Sequence, residues 1–146
     1  MMNTNETVLG QLIDEVWNRG DLTNLESIVA DEYEVAGDPG DPWNGQSLDR
    51  ESFRSRVAYT RGAFPDVRFD VKESLVDGDR VAIRWTMSGT HLGDLLLLPA
   101  TGKSFAVDGL TFYYFRDGKV AGHRQVFDQL GFLAQIGRLG LTPLAT

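Results

Sequence analysis

The second half of the sequence consists of strand-like segments, and two Asp-Gly pairs determine how these segments connect. The pairs at 77–78 and 117–118 each follow a stretch of alternating apolar residues. An Asp-Gly pair between such stretches is a strong signal for a tight β-hairpin. The pattern predicts a long strand over residues 104–115 and a last strand over residues 119–127. This half of the chain is therefore predicted to form an antiparallel sheet.

The first half of the sequence shows helical spacing instead. Apolar residues fall on one helical face across residues 8–17, and Gly20 ends this first helix. Asp21 is predicted to cap a short second helix, and Ser47 to cap a third helix that runs to about Ala63.

A short strand is predicted over residues 32–36, and a closing helix from Gln129 to about Leu139. Helices therefore come first, then a run of antiparallel strands, then a last helix. This order predicts an α+β fold in which the helices pack on one face of a curved sheet. A length of 146 residues suggests a single domain spanning 1–146.

The strand over residues 104–115 carries apolar or aromatic side chains on both of its faces. A strand that is buried on both sides predicts helices behind the sheet and an apolar cavity in front of it. The side chains concerned are Leu110, Phe112 and Tyr114 on one face, and Val107, Tyr113 and Phe115 on the other.

The net charge of -7 disfavours binding to nucleic acid or to an anionic membrane. The chain has no cysteine, which fits a reducing compartment. Its first residues lack the pattern of a signal peptide, and the apolar run at residues 95–98 is too short to span a bilayer. We therefore expect a cytoplasmic protein.

Asp128 is the most unusual charged residue in the sequence. It follows the last strand and has Val126, Phe127, Leu130 and Phe132 as near neighbours. If these apolar side chains bury the carboxyl group, desolvation favours its neutral form and makes it a candidate acid or base. The alternative is that Asp128 caps the closing helix through backbone N–H groups.

Several fragments in a fixed order resemble a known family. They include Trp17-Asn18-Arg19-Gly20-Asp21, Phe64-Pro65-Asp66-Val67, Gly89-Thr90-His91-Leu92-Gly93, Pro99-Ala100-Thr101-Gly102-Lys103 and the segment around Asp128. The chain resembles the SnoaL-like polyketide cyclases (ester cyclases) of the NTF2-like superfamily, from about Val8 to Gly140.

The resemblance implies an NTF2-like cone, in which a curved mixed or antiparallel sheet and its helices enclose a deep apolar pocket. Such proteins are usually oligomeric, often through the sheet, so a homodimer or homotetramer is expected. The characterised cyclases close the last ring of an aromatic polyketide by an intramolecular aldol reaction and need no cofactor or metal. Their acid/base residue is an Asp at the end of the last long strand, which corresponds to Asp128.

Histidines are the next candidates for chemistry. His91 follows a strand predicted from the alternation over residues 81–87. It is a candidate second catalytic residue that polarises a carbonyl; alternatively, its ring fixes the following loop. His123 is predicted to lie on the opposite strand face from Arg124 and Asp128, and a structural role is favoured for it.

Arg124 and Asp108 are candidate polar groups for substrate binding. Arg124 is predicted to share a strand face with Asp128, where it pairs with a buried acid or an anionic substrate group. Its alternative is an ordinary exposed ion pair. Asp108 is a second candidate carboxylate of the pocket, or a partner for Arg124.

Aromatic residues complete the candidate binding site. The characterised cyclases carry pocket histidines, whereas this chain offers Tyr113 and Tyr114 on the long strand and Tyr33, Asp38 and Trp43 in an early segment. The residues predicted to contact a substrate are Tyr33, Trp43, Phe112 and Tyr114, with Arg124 and Asp108. The loop Leu95–Pro99 is predicted to be a lid or an oligomer contact.

The leading prediction is a cofactor-free acid/base enzyme that acts on a small apolar or aromatic carbonyl compound, with Asp128 as the general acid/base. A dehydratase, isomerase or epoxide hydrolase using the same pocket is an alternative. An epoxide hydrolase would need Asp108, Arg124 and Asp128 to point inward together. A ligand-binding domain without catalytic activity is the remaining alternative.

Overall fold

A computed structural model describes residues 3–139 of the chain. Its helices are α1 (Thr4–Gln11), which continues as a π-helical segment (Leu12–Asn18), α2 (Leu25–Ile28), α3 (Arg50–Ala63) and α4 (Gln129–Gln135). Its strands are β1 (Val29–Gly37), β2 (Ser47–Leu48), β3 (Arg68–Asp77), β4 (Arg80–Thr90), β5 (Ser104–Arg116) and β6 (Lys119–Phe127). No helix among the described residues is both long and apolar enough to cross a membrane.

The six strands form one mixed sheet in the order β2-β1-β6-β5-β4-β3. Only β1 and β6 run parallel, and every other neighbouring pair is antiparallel. Register shifts interrupt the β1–β6, β3–β4 and β5–β6 pairings, and such irregularities bend a sheet. The predicted α+β fold with a curved sheet is confirmed, and both Asp-Gly pairs lie in the predicted hairpins.

Buried residues alternate along strand β5 with residues that are exposed or, at Tyr114, half-buried. Its odd-numbered residues face the helices, whereas Leu110 and Phe112 on the other face are about half exposed. The prediction that this strand is buried on both faces is therefore wrong, because the helices cover only one side of the sheet. Strand β6 alternates in the same way from His123 onward, with His123 buried and Arg124 and Val126 exposed.

Two side chains hold the end of the first helical segment, one to the sheet and one to α3. Asn18 pairs with the backbone of Phe69 on β3, donating to its carbonyl at 3.0 Å and accepting from its N–H at 2.7 Å. Arg61 of α3 donates to the carbonyl oxygens of Trp17 and Asn18, which are left free at the end of the helical segment. Gly20 then turns the chain with a φ of 66°.

Two of the predicted helix caps are wrong. Asp49, and not Ser47, caps α3 by accepting from the N–H of Ser52, because Ser47 is paired with Glu34 in the sheet. Asp21 accepts from the N–H of Thr23 in a turn that precedes α2. The short strand predicted at residues 32–36 is the centre of a longer one, and α4 begins where predicted but ends earlier.

The core has two parts. The larger part packs α1, the π-helical segment, α2 and α3 against the strands β1, β4, β5 and β6. The smaller anchors α4, since Phe132 packs edge-on against Phe105 and Phe64 with ring centroids 4.9 and 5.8 Å apart. Ile136 is fully buried in the same cluster. The two parts lie around the cavity described below.

Gly109 on β5 makes room for the indole ring of Trp85, its partner on β4. A Cβ atom at position 109 would overlap this ring. We expect Gly109→Ala to lower the free energy of unfolding by about 1–3 kcal/mol, because overpacking displaces the indole. Chemical denaturation monitored by tryptophan fluorescence measures this change.

Gly62→Ala is the matched control for this prediction. Gly62 lies in α3, and a methyl group added to its Cα would point into open space. Alanine at this position should therefore stabilise the helix by up to about 1 kcal/mol through its higher helix propensity. Equal effects of the two substitutions would contradict the packing explanation.

Candidate active site

The helices and the sheet enclose a cavity of about 530 Å³. This volume lies within the usual range for small-molecule sites. Most of the wall is apolar, and the polar groups are concentrated on a few residues. The apolar wall includes Ile13, Trp17, Phe64, Phe69, Ile83, Trp85, Met87, Val107, Phe127 and Phe132. The cavity therefore suits a ligand with a large apolar surface and few polar atoms.

A chain of three buried polar side chains lies in the cavity wall. The hydroxyl oxygen of Tyr33 on β1 is 2.6 Å from Nδ1 of His123 on β6. Nε2 of the same imidazole is 2.8 Å from Oδ2 of Asp38, which directly follows β1. Asp38 and His123 are each only 2% exposed. The parallel pairing of β1 with β6 brings these residues together.

Arg56 of α3 supplies the positive charge for this end of the cavity. Its Nε donates to Asp41 at 2.9 Å, its guanidinium lies 3.4 Å from Asp38, and it stacks over the ring of Trp17. Burial alone would lower the pKa of Arg56, but Asp41, Tyr33 and Asp38 together raise it above its ordinary value. A buried carboxylate needs such a partner, since an unpaired ion is poorly tolerated inside a protein.

Burial sets the protonation states along the chain of polar groups. It lowers the pKa of His123, with Arg56 adding to the effect against the opposing influence of Asp38. It also raises the pKa of Tyr33, so the phenol keeps its proton. The neutral imidazole therefore accepts from Tyr33 at Nδ1 and donates from Nε2 to the Asp38 carboxylate.

The two carboxylates differ in how fully their oxygens are occupied. Both oxygens of Asp41 have close partners, the backbone N–H of Trp43 and the guanidinium of Arg56. Oδ1 of Asp38 has one long contact within the described residues, from the Gln125 amide at 3.4 Å. Asp38 is therefore the carboxylate with an oxygen available to a ligand.

A second row of polar residues crosses the strands beside this carboxylate. Nε1 of Trp85 donates to Oγ1 of Thr111 at 2.8 Å, and this hydroxyl donates to Oε1 of Gln125 at 2.8 Å. The amide nitrogen of Gln125 then lies 3.4 Å from both oxygens of Asp38. The row thus ends at the cavity, next to the available oxygen.

Residues 95–98, which we call the leucine loop, cover part of the cavity. Leu97 is 90% exposed and has a φ of 67°, which is unusual for a residue with a side chain. The Tyr59 hydroxyl accepts from the N–H of Leu96 at 2.7 Å and links the loop to α3. The position of the leucine loop fits the predicted lid, and the opening of this loop remains a prediction.

Two of the predicted substrate-binding residues lie in or near the cavity. Tyr33 contributes to its wall. Trp43 is half-buried and packs edge-on against Tyr59, with ring centroids 5.5 Å apart. Tyr59 itself lines the cavity, so Trp43 supports the wall from behind.

Asp128 lies outside this cavity. It is exposed, and its Oδ1 accepts from the N–H of Gly131 at 2.8 Å as the cap of α4. The prediction that apolar neighbours bury this carboxyl group is wrong, because Val126 and Leu130 are themselves exposed. The environment on which its predicted catalytic role rested is therefore missing.

The other four predicted substrate-binding residues share the outer face of the sheet with Asp128. Arg124, Asp108 and Phe112 are exposed, and Tyr114 is half-buried on the same side. Asp108 accepts from the hydroxyl of Thr86 at 2.7 Å. None of the four is part of the cavity wall, so their predicted placement in the pocket is wrong. The inward relay needed by an epoxide hydrolase is also excluded.

His91 is fully buried, but it lies outside the cavity wall. Its Nδ1 is 3.2 Å from the Thr101 hydroxyl, and its backbone pairs with Lys103 and Gly102 across the loop. Burial lowers the pKa of His91, so its ring is neutral. This position agrees with the structural alternative, in which the ring fixes the loop.

Sequence reasoning named Asp38 only as one of the polar residues that this chain offers in place of pocket histidines. It missed Arg56, Gln125 and the place of His123 in the cavity wall. A signal for His123 was present, because Asp108, Arg124 and Asp128 fall together on one side of the last hairpin. Charged residues on one face of an antiparallel sheet mark its solvent side, which leaves His123 on the cavity side. No pattern along the chain linked Asp38 or Arg56 to that strand. Among residues 3–139, no three His, Cys, Asp or Glu side chains are arranged to hold a metal ion.

Comparison with known proteins identifies the family of the chain. The family of SnoaL-like polyketide cyclases matches residues 7–136. The chain belongs to this family. It is 28% identical over 130 residues to the aklanonic acid methyl ester cyclase DnrD of Streptomyces peucetius, covering 88% of each chain.

Solved structures of family members share the fold. The crystal structure of a candidate polyketide cyclase from Acidithiobacillus ferrooxidans is 38% identical, with a TM-score of 0.84 and coverage of 93% of this chain and 96% of that one. IdmH of Streptomyces antibioticus, another candidate polyketide cyclase, is 29% identical with a TM-score of 0.75, covering 92% of this chain and 99% of IdmH. The family assignment supports a cyclase-type enzyme.

Both histidines make stability depend on pH in one direction. Each has its pKa lowered in the folded state, so the unfolded chain binds more protons as the pH falls below about 6.5. Their stabilising contribution is complete above that pH and is lost as the pH falls toward the folded-state values. We expect the free energy of unfolding to decrease between pH 6.5 and 5, and urea denaturation across this range measures it.

His91→Gln and His123→Gln separate the two contributions. Each variant should lose part of the pH dependence between pH 6.5 and 5, even though its stability at neutral pH is lower. A pH dependence identical to that of the parent protein in both variants would show that neither imidazole is held neutral by the fold.

Proposed function

We propose that the protein is a cofactor-free acid/base enzyme that closes a ring in a small apolar carbonyl compound by an intramolecular aldol reaction, with Asp38 as the acid/base. The observation that carries the proposal is the available oxygen of Asp38 in the apolar cavity. Its other oxygen is held by His123 at 2.8 Å, so the carboxylate is fixed in orientation. Family membership supports the reaction class.

The neighbours of Asp38 suit it to take and return a proton. Arg56 lies 3.4 Å from Oδ2 of Asp38, and Nε2 of His123 donates to the same oxygen at 2.8 Å, so Oδ1 remains available to a substrate. Tyr33 keeps His123 in the tautomer that donates to Asp38.

The proposed reaction needs no other reactant. Asp38 removes a proton from the carbon next to a ketone, and the electron pair of the broken C–H bond forms an enolate. The enolate carbon attacks a second carbonyl carbon of the same molecule, which forms a C–C bond and leaves an alkoxide. The proton on Asp38 then passes to the alkoxide, so Asp38 is ionised again and the product is an isomer of the substrate.

The cavity favours an aromatic or polycyclic substrate. Flat side chains, including Trp17, Phe69 and Trp85, form much of its wall, and such surfaces pack well against rings. The name of DnrD identifies its substrate as aklanonic acid methyl ester, and we propose a poly-ketone of this class as the substrate here. The leucine loop closes over the bound compound and excludes water.

Asp38→Asn tests the acid/base assignment. The amide has nearly the same shape but cannot accept a proton from carbon, so we expect kcat for cyclisation of aklanonic acid methyl ester to fall by roughly 10²–10⁴-fold. Product formation is followed by absorbance and mass spectrometry. A similar KM in the variant would show that the cavity still binds the compound.

Asp128→Asn is the matched control, since it makes the same chemical change on the outer face and asparagine also caps helices well. Its kcat should stay within about twofold of the parent value. Loss of activity in Asp128→Asn with retention in Asp38→Asn would reverse the assignment in favour of Asp128. Tight binding of the compound without turnover in the parent protein would instead indicate a ligand-binding domain.

We also propose that a second copy of the chain covers the outer face of the sheet. Leu110, Phe112 and Val126 are each more than half exposed there, and Leu110 is the register partner of Val126. Arg124 and Asp128 lie on the same face, so a two-fold related copy can pair opposite charges around the apolar centre. Burial of this patch from water drives the association.

Phe112→Lys tests this proposed interface, because it places a charge at the apolar centre of the outer face of the sheet. We expect the parent protein to sediment as a dimer or larger species and the variant to shift toward monomer in analytical ultracentrifugation. Leu97→Lys is the control for the leucine loop, and it should leave the dimer intact. A parent protein that is monomeric at high micromolar concentration would refute this interface.

A further inference from the structure

The geometry points to Gln125 as the hydrogen-bond donor that holds a ligand carbonyl oxygen beside Asp38. This inference rests on the proposed function, because it concerns the same cavity and assigns the second group that enolate formation requires. It adds that the ligand is a ketone whose carbonyl oxygen lies at the Gln125 amide nitrogen while its α-hydrogen lies at Asp38.

The orientation of the Gln125 amide follows from Trp85. An indole N–H can only donate, so the oxygen of Thr111 must accept from it at 2.8 Å. The hydroxyl proton of Thr111 is then free to donate, and its neighbour at 2.8 Å is Oε1 of Gln125. The side-chain nitrogen of Gln125 is therefore fixed on the other side, toward Asp38 and the cavity.

The amide nitrogen has donor capacity to spare. It carries two hydrogens, and its contacts within the described residues are to the two oxygens of Asp38, both at 3.4 Å. This distance exceeds that of a well-formed N–H···O bond, so the nitrogen is weakly occupied. Gln125 is half-buried and belongs to the cavity wall. A ligand oxygen can therefore bind to it without displacing a strong protein contact.

The pairing of donor and base matches the chemistry of an enolate. As Asp38 removes the α-proton, negative charge builds up on the carbonyl oxygen, and a fixed N–H donor stabilises this charge more than the neutral carbonyl. Because Thr111 and Trp85 hold the amide beforehand, no reorientation is needed during the reaction. Gln125 is thus assigned a catalytic role, and Thr111 is a positioning residue that acts through it.

Isotope-edited infrared spectroscopy tests the assignment without requiring turnover. The probe is 2-acetylnaphthalene labelled with ¹³C at its carbonyl carbon, bound to the full chain. In the parent protein we expect its C=O band at a lower frequency than in cyclohexane, because a donor polarises the carbonyl. In Gln125→Met, which keeps the length of the side chain and removes the amide, the band should return toward its cyclohexane position.

Variants of Thr111 distinguish a role in positioning the Gln125 amide from a role in packing alone. Thr111→Val keeps the shape but frees the amide to rotate, so the C=O band should broaden or move toward its cyclohexane position. Thr111→Ser keeps the hydroxyl and should restore the parent spectrum. A role of Thr111 in packing alone would leave the band unchanged in the valine variant. If the valine variant does not fold, the serine variant and Gln125→Met still decide the matter.

Kinetics on aklanonic acid methyl ester distinguish this inference from the proposed function. Gln125→Met should lower kcat by about 10²–10³-fold with a smaller effect on KM, as expected when one donor to a developing oxyanion is lost. Unchanged kcat and an unchanged C=O band in Gln125→Met would overturn the inference, while an inactive Asp38→Asn would still support the proposed function. An inactive parent protein with a shifted C=O band would instead contradict the proposed function and leave the assignment of Gln125 as a carbonyl donor standing.

Discussion

The register between β5 and β6 is the constraint on which the rest of the structure depends. The hairpin at residues 117–118 pairs Tyr113 with His123 and Thr111 with Gln125, and all four side chains lie on the face covered by the helices. A slip by one residue would turn each of them to the solvent side. The same register places the charged residues of β6 outward, where water stabilises them.

Parallel pairing of β1 with β6 adds the remaining groups of the site. It brings Tyr33 and the residue after β1, Asp38, to the two nitrogens of His123. The cluster is tolerated in an apolar interior because Arg56 reaches it from α3 and pairs with two carboxylates. Helix, parallel strand and hairpin each supply one part, and none of the three forms a site without the others.

The sequence predicted local structure most accurately where one local signal was sufficient. Both hairpins, strand β6 and the start of α4 agree with the structure because turn residues and alternation act over a few positions. The cap at Ser47 failed because a tertiary contact, the pairing of β2 with β1, took this residue into the sheet. Apolar content alone could not decide which face of β5 is buried, because Leu110 and Phe112 are apolar and yet exposed in this chain.

The sequence by itself determined the fold class, the family and the alternation that separates His123 from Arg124 and Asp128. Only the tertiary structure decided which of these two faces surrounds the cavity. It also decided that Asp128 caps a helix in solvent, whereas Asp38, in a loop without any catalytic signature, is buried beside His123 and Arg56. The physical reason is that burial and charge pairing depend on segments far apart in the chain, and local sequence patterns do not report which segments meet.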